Sequence, residues 1–174
     1  MARDGMTANH ISGGGAAAAY EVQRQNAFLL QIDLPTGGKD LIELTLKESD
    51  LPKAKLEVIT IHYLNEYRRL AGKPDFGEFN FTVHDVVDKQ VAAAMWGWWT
   101  KVYNPETGAI NNSSQYKKDG TLILLSPDGT KERSWTLQGC WLSAFDMGKG
   151  DMSKADPVGI SCTLQVDKIV AENP

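Results

Sequence analysis

The chain is poor in the residues from which catalytic and metal centres are built. Its 174 residues include two cysteines and three histidines: Cys140 and Cys162, and His10, His62 and His84. Two cysteines are not a disulfide framework. No histidine has a helical i, i+4 partner or a cysteine pair beside it, so a zinc site is not expected. Asp146, Asp151 and Asp156 share one stretch, but their spacing is not the alternate-residue pattern of a calcium loop. The run Gly13-Gly14-Gly15 has no Lys-Ser/Thr after it and so is a poor phosphate loop. No serine sits in a nucleophile elbow, and no Cys–His or Ser–His–Asp set stands out. These gaps argue against an enzyme, with no catalytic residue, no metal site and no cofactor expected.

Basic charge is scarce too. The net charge is −4 and the sequence pI about 5.4, which disfavours a protein that grips nucleic acid over its whole surface. Arg68-Arg69 and Lys117-Lys118 are pairs rather than a stripe, and lysine at a strand edge serves to blunt unwanted pairing. No stretch approaches the length of a membrane span. The first twenty residues lack the apolar core of a signal peptide, so synthesis and assembly in a cytoplasm are expected.

What the sequence has in quantity is strand. Hydrophobic residues make up 42% of it, with five tryptophans, enough for one cored domain. Residues 1–26 read as an N-terminal arm, flexible or ordered against a neighbouring subunit, and 27–174 as a single β domain. Strands are expected at Ala27–Ile32, Leu41–Leu46, Leu56–Tyr63 and Glu78–Val83, with a short strand-like piece at Tyr67–Leu70 and a loop at Ala71–Gly77. From Asp85 the period changes. Val87, Val91, Met95, Trp98 and Val102 follow helical spacing, Asp85 and Asp88 suit the N-terminal end, and Asn104-Pro105 stops the helix near Tyr103.

The stretch Tyr116–Leu142 reads as a hairpin about Ser126-Pro127-Asp128-Gly129-Thr130, a type I turn with a glycine bulge. Its second arm puts Trp135, Leu137, Gly139 and Trp141 on one face and Ser134, Thr136, Gln138 and Cys140 on the other. Ser143–Pro157 reads as a loop and Gly159–Ile169 as the last strand. If that strand pairs back across the loop, Cys140 and Cys162 come opposite each other, as buried thiols or as a cross-link. The fold class that follows is mainly β: an antiparallel barrel or sandwich with one helix packed on its side. The tryptophans Trp96, Trp98, Trp99, Trp135 and Trp141 are candidates for its packed wall.

Five ordered segments, Leu46–Tyr67, Arg68–Val83, Trp96–Trp99, the hairpin ending in Gly139-Cys140-Trp141, and Gly150-Asp151-Met152 with Pro157-Val158-Gly159-Ile160, together resemble the phage tail-tube protein family of contractile tails, which is related to the tube proteins of secretion and injection machines. The likeness runs from about Ala27 to Ile169. The N-terminal extension is longer and richer in Gly and Ala than the family pattern, and Leu142 stands where a proline is usual. The resemblance implies hexameric rings, joined edge to edge and stacked into a hollow tube. Such a tube would conduct a genome without specific DNA binding. Its implied partners are further copies of the chain, a sheath protein, a tape-measure protein, and baseplate and tail-terminator proteins. The implied location is the tail of a virion. Lys47, Glu48, Ser49, Asp50, Leu51, Pro52, Lys53 and Lys55, with the N-terminal arm, become candidates for ring-to-ring contact. Two alternatives stand beside this reading: a tube carrying protein cargo in a contractile injection or type VI-like secretion machine, and a monomeric β-sandwich binding module built on the tryptophans.

Overall fold

A computed structural model describes residues 23–87, 90–127, 129–153 and 155–173. The expected N-terminal arm and Asp88 therefore lie outside the described residues, save for the arm's last few positions. Strands β1 (Phe28–Ile32), β2 (Leu46–Ser49), β3 (Lys55–Tyr63), β4 (Glu66–Asp75), β5 (Glu78–His84), β6 (Lys118–Leu125), β7 (Lys131–Asp146), β8 (Gly159–Gln165) and β9 (Lys168–Asn173) dominate. Helices α1 (Lys39–Thr45), α2 (Val91–Val102) and α3 (Ser113–Tyr116) complete the chain.

Among the described residues, seven strands form one antiparallel system in the order β1-β6-β7-β8-β5-β2, with β9 also paired to β7, while β3 and β4 pair only with each other. The system folds into two layers because β7 belongs to both. Its first part, up to Cys140, bonds β6 on one edge and β9 on the other, and from Trp141 onward it bonds β8. The bend falls at Gly139, where φ is +67°. There the register against β6 also slips, between Lys118 and Gly120. Such a bulge adds a residue to one strand and re-aims the side chains beyond it. Glycine is required at this point, since a Cβ would lie 2.3 Å from Asp167 Oδ2. Around the bend the Gly139 amide donates to Asp119 Oδ1 (2.8 Å), the Asp167 amide donates to the Gln138 carbonyl (3.1 Å), and Lys117 Nζ pairs with Asp167 Oδ2 (2.6 Å).

The bulge corrects the expected alternation in β7. Leu137 is buried as expected, but Cys140 and Leu142 are buried too, and Trp141 is half-exposed. The face order flips after Gly139, so Cys140 belongs to the core rather than to a polar face. The same break divides the expected last strand into β8 and β9 at Val166-Asp167. The β6–β7 turn matches its sequence signature: Gly129 (φ +84°) donates its amide to the Ser126 carbonyl and Ser126 donates to that of Thr130. Asp128 lies outside the described residues.

Between the layers sits a continuous core, including Leu30, Ile32, Phe79, Phe81, Val83, Leu122, Leu137, Leu142, Ile160 and Leu164. Strand β5 follows its alternation, with Phe79, Phe81 and Val83 buried and Glu78 and Asn80 exposed. Helix α2 closes one side with Val91, Met95 and Trp98 buried, and the Trp98 indole donates to the Tyr116 carbonyl (2.9 Å). It begins later than its pattern suggested. Gln90 in a left-handed conformation precedes it, and Val87 is exposed instead of sharing the apolar face. The end at Tyr103 is as expected, with the Tyr103 amide bonded to the Trp99 carbonyl.

Three further expectations are corrected. Leu41–Leu46 is not a strand: Lys39–Thr45 is helix α1, and only Leu46 begins β2. A helix lets Ile42 reach the core while Thr45 Oγ1 donates back to the Leu41 carbonyl, a local bond that only a helical turn offers. The loop assigned to Ala71–Gly77 is largely strand, because β4 runs through Pro74 to Asp75. Proline is tolerated there because β4 is an edge. The loop assigned to Ser143–Pro157 starts late, because β7 continues through Asp146. The two layers do not close into a barrel. β1 and β2 end the strand order without bonding to each other, and the fold is a sandwich with an open seam.

Candidate functional site

Among the described residues, the seam and the β3–β4 hairpin both leave sheet bonding incomplete. Strands β3 and β4 are exposed along their length apart from the half-buried Gly72. In their register Ile59 faces Leu70, Ile61 faces Arg68 and Tyr63 faces Glu66, which gathers Ile59, Ile61, Tyr63 and Leu70 on one side together with the charged Arg68 and Glu66. The other side carries Thr60, His62, Tyr67 and Arg69. There the Arg69 guanidinium lies 4.9 Å from the Tyr67 ring centre, and His62 and Tyr67 are 6.3 Å apart. Ile61 is 50% exposed and Tyr63 75%. At the tip Leu64 is 91% exposed and holds φ +52°. A leucine in that conformation costs roughly 1–2 kcal/mol. A lone two-stranded hairpin is marginal in water, and an apolar one needs cover.

The sequence reading placed Leu56–Tyr63 inside the domain and did not see this arm. The signal was present in the apolar residues on both faces of LEVITIHY, a pattern unlike the clean alternation of β5.

The seam opens into a groove of about 850 Å³ between β1 and β2. Phe28, Leu46, Phe81, Leu122 and Leu124 supply its apolar lining; Arg24, Glu43, Lys47, Glu48 and Asp50 line it with charge. Helix α1 covers the seam beside it, where Gln31 Nε2 donates to Glu43 Oε2 (2.8 Å).

The segment Lys47–Lys55, expected to make ring-to-ring contact, runs along this rim. Lys47, Glu48 and Ser49 lie in β2, Leu51, Pro52 and Lys53 in the link, and Lys55 opens β3. Asp50 fastens the segment to the sandwich: its amide donates to the Asn80 carbonyl (2.8 Å), and its carboxylate accepts from the Asn80 amide (3.2 Å), Asn80 Nδ2 (3.1 Å) and Lys53 Nζ (2.9 Å). Burial works against the Asp50 charge, but the bonds from Lys53 and Asn80 outweigh it and hold the carboxyl below its ordinary value.

The five tryptophans do not form one group. Trp98 is fully buried, while Trp135, Trp141 and Trp99 are half-buried. Trp96 is half out of the surface, edge-on to Phe145 (5.5 Å) and against Trp99 (5.7 Å). The polar residues expected on β7 are taken up by β9: Ser134 and Thr136 both donate to the Glu172 carboxylate and hold it below its ordinary value. Beside them Gln31, Asp33, Lys117, Lys118, Asp119 and Thr121 line a polar hollow of about 450 Å³ carrying both signs of charge.

Cys140 and Cys162 are both free and buried. The register sets Lys118 opposite Cys140 and Phe145 opposite Cys162, so the two are not cross-strand partners. Burial pushes both thiols up to about 12. Among the described residues no group of His, Cys, Asp and Glu is placed to hold a metal ion. His62 lies on the hairpin and His84 ends β5; His10 lies outside the described residues.

Comparison with known proteins agrees with this geometry. No family model matches the sequence, and no curated protein matches it. Solved structures do. A chain of the sheath–tube complex of an extracellular contractile injection system, PVC, in its extended state superposes with a TM-score of 0.68 at 12% identity, over 98% of this chain and 100% of that one. A chain of the baseplate of the anti-feeding prophage, AFP, gives 0.68 at 12% identity over 88% and 97%. A type six secretion system protein gives 0.50 at 7% identity over 83% and 82%. The chain has the mainly antiparallel β fold of contractile injection system tube proteins.

Proposed function

We propose that this chain is the repeating subunit of a hollow tube, forming rings that stack within a contractile assembly. The observation that carries the reading is the match to a chain of the sheath–tube complex over 98% of this chain; it is supported by a hairpin with exposed apolar residues that the described residues leave uncovered. Exposed apolar strands and open sheet edges are an aggregation hazard in a monomer but ordinary joints in a closed ring. On this reading the sheath, baseplate and terminating cap that accompany the matched chains are the kinds of partner this subunit meets. The assembled particle is a tail or tail-like injection device, and the chain contributes structure rather than catalysis.

The passenger is the finer question. A lumen wall suited to DNA would be acidic, so that phosphates slide without sticking. The net charge of −4 is compatible with this, but the polar hollow on β1, β6 and β7 sets Lys117 and Lys118 beside Asp33 and Asp119. A phage tail tube conducting a genome therefore stands beside the tube of an injection or secretion machine with protein cargo. The compared structures include an extracellular contractile injection system and a type six secretion system protein, which favours the second.

The test is sedimentation and negative-stain microscopy of the concentrated protein. Rings or stacked rings with a central channel are expected. Dispersed globules at every concentration would sink the reading and favour a monomeric binding module. Removing residues 1–15 should weaken stacking and leave the fold intact, with unchanged tubes limiting those residues to a tail.

A further inference from the structure

We infer that Thr163 and Asn80 form a latch that holds Asp50, and through it the root of the β3–β4 hairpin, in one orientation on the sandwich, and that the hairpin swings once the Asp50 charge is lost. The inference concerns the single chain and stands apart from the tube-subunit reading.

The hairpin joins the sandwich through two short roots. Residues 51–54 lead into β3, and residues 76–77 lead from β4 into β5. Between the roots, β3 and β4 bond only with each other among the described residues. The exit root is an open pivot. Gly77 has φ +65°, a Cβ there would meet nothing within 4 Å, and its amide donates to Asp75 Oδ1 (3.0 Å), on the hairpin's own side. The entry root makes no backbone-to-backbone bond among the described residues. Asp50, one residue before it, makes the attachment to β5 through its own amide and its carboxylate.

The amide that grips Asp50 can face it in only one way. A carboxylate accepts and does not donate, so the amino end of Asn80 must turn toward it, and Asn80 Nδ2 lies 3.1 Å from Asp50 Oδ2. The carbonyl end then points away, where Thr163 Oγ1 donates to Asn80 Oδ1 (2.9 Å). Asn80 on β5 and Thr163 on β8 are register partners, so the sheet itself sets the hydroxyl beside the amide. Without that hydroxyl the exposed Asn80 amide is free to turn, and its oxygen facing Asp50 would set two acceptors against each other. The charged group bonded to Asp50 is Lys53 (2.9 Å). The other charged residues around the same groove are Arg24, Glu43, Lys47 and Glu48. Of these, Lys47 and Glu48 pair with each other (3.5 Å) and Glu43 accepts from Gln31. Protonation of Asp50 removes the charge that draws Lys53 and both Asn80 donors, and weakens the latch.

The experiment reads the direction of the hairpin in the full chain, at a concentration where sedimentation shows single copies. Glu66→Cys on β4 and Lys168→Cys on β9 are exposed positions, and the native thiols are buried, so one spin label goes on each introduced cysteine. A narrow distribution of label-to-label distances is expected at neutral pH. Its width should at least double when Asp50→Ala or Thr163→Val is added, whereas Thr163→Ser, which keeps the hydroxyl, should match the parent. Asn80→Ala should broaden it likewise, and takes the place of Thr163→Val if that variant does not fold. In the parent the same broadening should appear as pH falls below about 3, and Asp50→Ala should show no such change. Tryptophan fluorescence of each sample reports whether the sandwich is folded. If acid unfolds it, the neutral-pH comparison of Thr163→Val with Thr163→Ser decides alone. The inference is overturned if the parent is already broad at neutral pH, if Thr163→Val stays as narrow as the parent, or if the folded parent stays narrow in acid. Ring formation at higher concentration is a separate measurement, so failure of the tube-subunit reading leaves this test standing.

Discussion

Strands β5 and β3 are built from similar residues and meet opposite fates. In β5, EFNFTVH, every second side chain is apolar, and the apolar set is buried within the chain. In β3, KLEVITIHY, apolar residues stand on both faces, and all nine positions are exposed. A two-layer sandwich has one inside. A strand with one apolar face is satisfied by it, whereas a strand with two must find its second cover, or both, elsewhere. On the proposed tube-subunit reading, the difference separates residues that fold the subunit from residues that join subunits, and substitutions on the two sides should act on different measurements.

The sharpest contrast is with the core. Trp98 is fully buried on α2 and its indole is bonded to the Tyr116 carbonyl. Trp98→Ala should cost about 3–5 kcal/mol of subunit stability, read from denaturant unfolding under dissociating conditions. A loss below about 1 kcal/mol would break the claim that α2 completes the core of the isolated subunit. Gly139→Ala should come next, at about 2 kcal/mol or more, because it places a Cβ at positive φ against Asp167. That substitution tests whether the β7 bend holds the two layers together. An unchanged midpoint would mean that the bend is incidental.

Asp50 stands between the two regions, tying the link that leads to the hairpin onto β5. Asp50→Ala should cost about 1 kcal/mol at neutral pH. The pH dependence has a definite sign. The folded pKa lies below the ordinary value of 3.8, so the contribution is fully present above the unfolded pKa and fades as pH falls through the folded one. The gap between parent and variant should therefore be constant near neutrality and close below about pH 4. A gap that persisted in strong acid would show that packing, not the carboxylate, fastens the link.

Much of the sandwich was legible in the sequence because its signals are local. The alternation in β5, the Ser126–Thr130 turn and the stop after Tyr103 are each settled within a few residues. What escaped depends on more distant structure. Leu41–Leu46 alternates well enough to look like a strand, but beside the open part of the β1–β2 seam it forms a helix that sinks Ile42 into the core. The expected alternation in β7 failed at one residue, Gly139, because bulge and sheet change coincide there. The candidate site was legible only in part. The segment Lys47–Lys55 was expected as a polar loop, but Lys47–Ser49 belong to β2 and Lys55 to β3, and the hairpin beside it was read as an ordinary strand. Its first strand reads as apolar on both faces, and only the fold shows that the described residues leave it uncovered.

The smallest expected effect on the subunit belongs to that hairpin, and it is the most telling. Ile59→Ser with Ile61→Ser removes two half-exposed aliphatic side chains. Subunit stability should change by no more than about 0.5 kcal/mol, as for ordinary surface substitutions. Ring formation should nevertheless be lost or shifted to far higher concentration, because the apolar area these residues would bury at about 25 cal/mol per Å² lies between copies. Denaturant unfolding and sedimentation on the same sample read the two quantities separately. Loss of both together would place the hairpin within the fold of the single chain. Loss of neither would leave its exposed isoleucines, and the strained leucine at its tip, without a purpose in assembly.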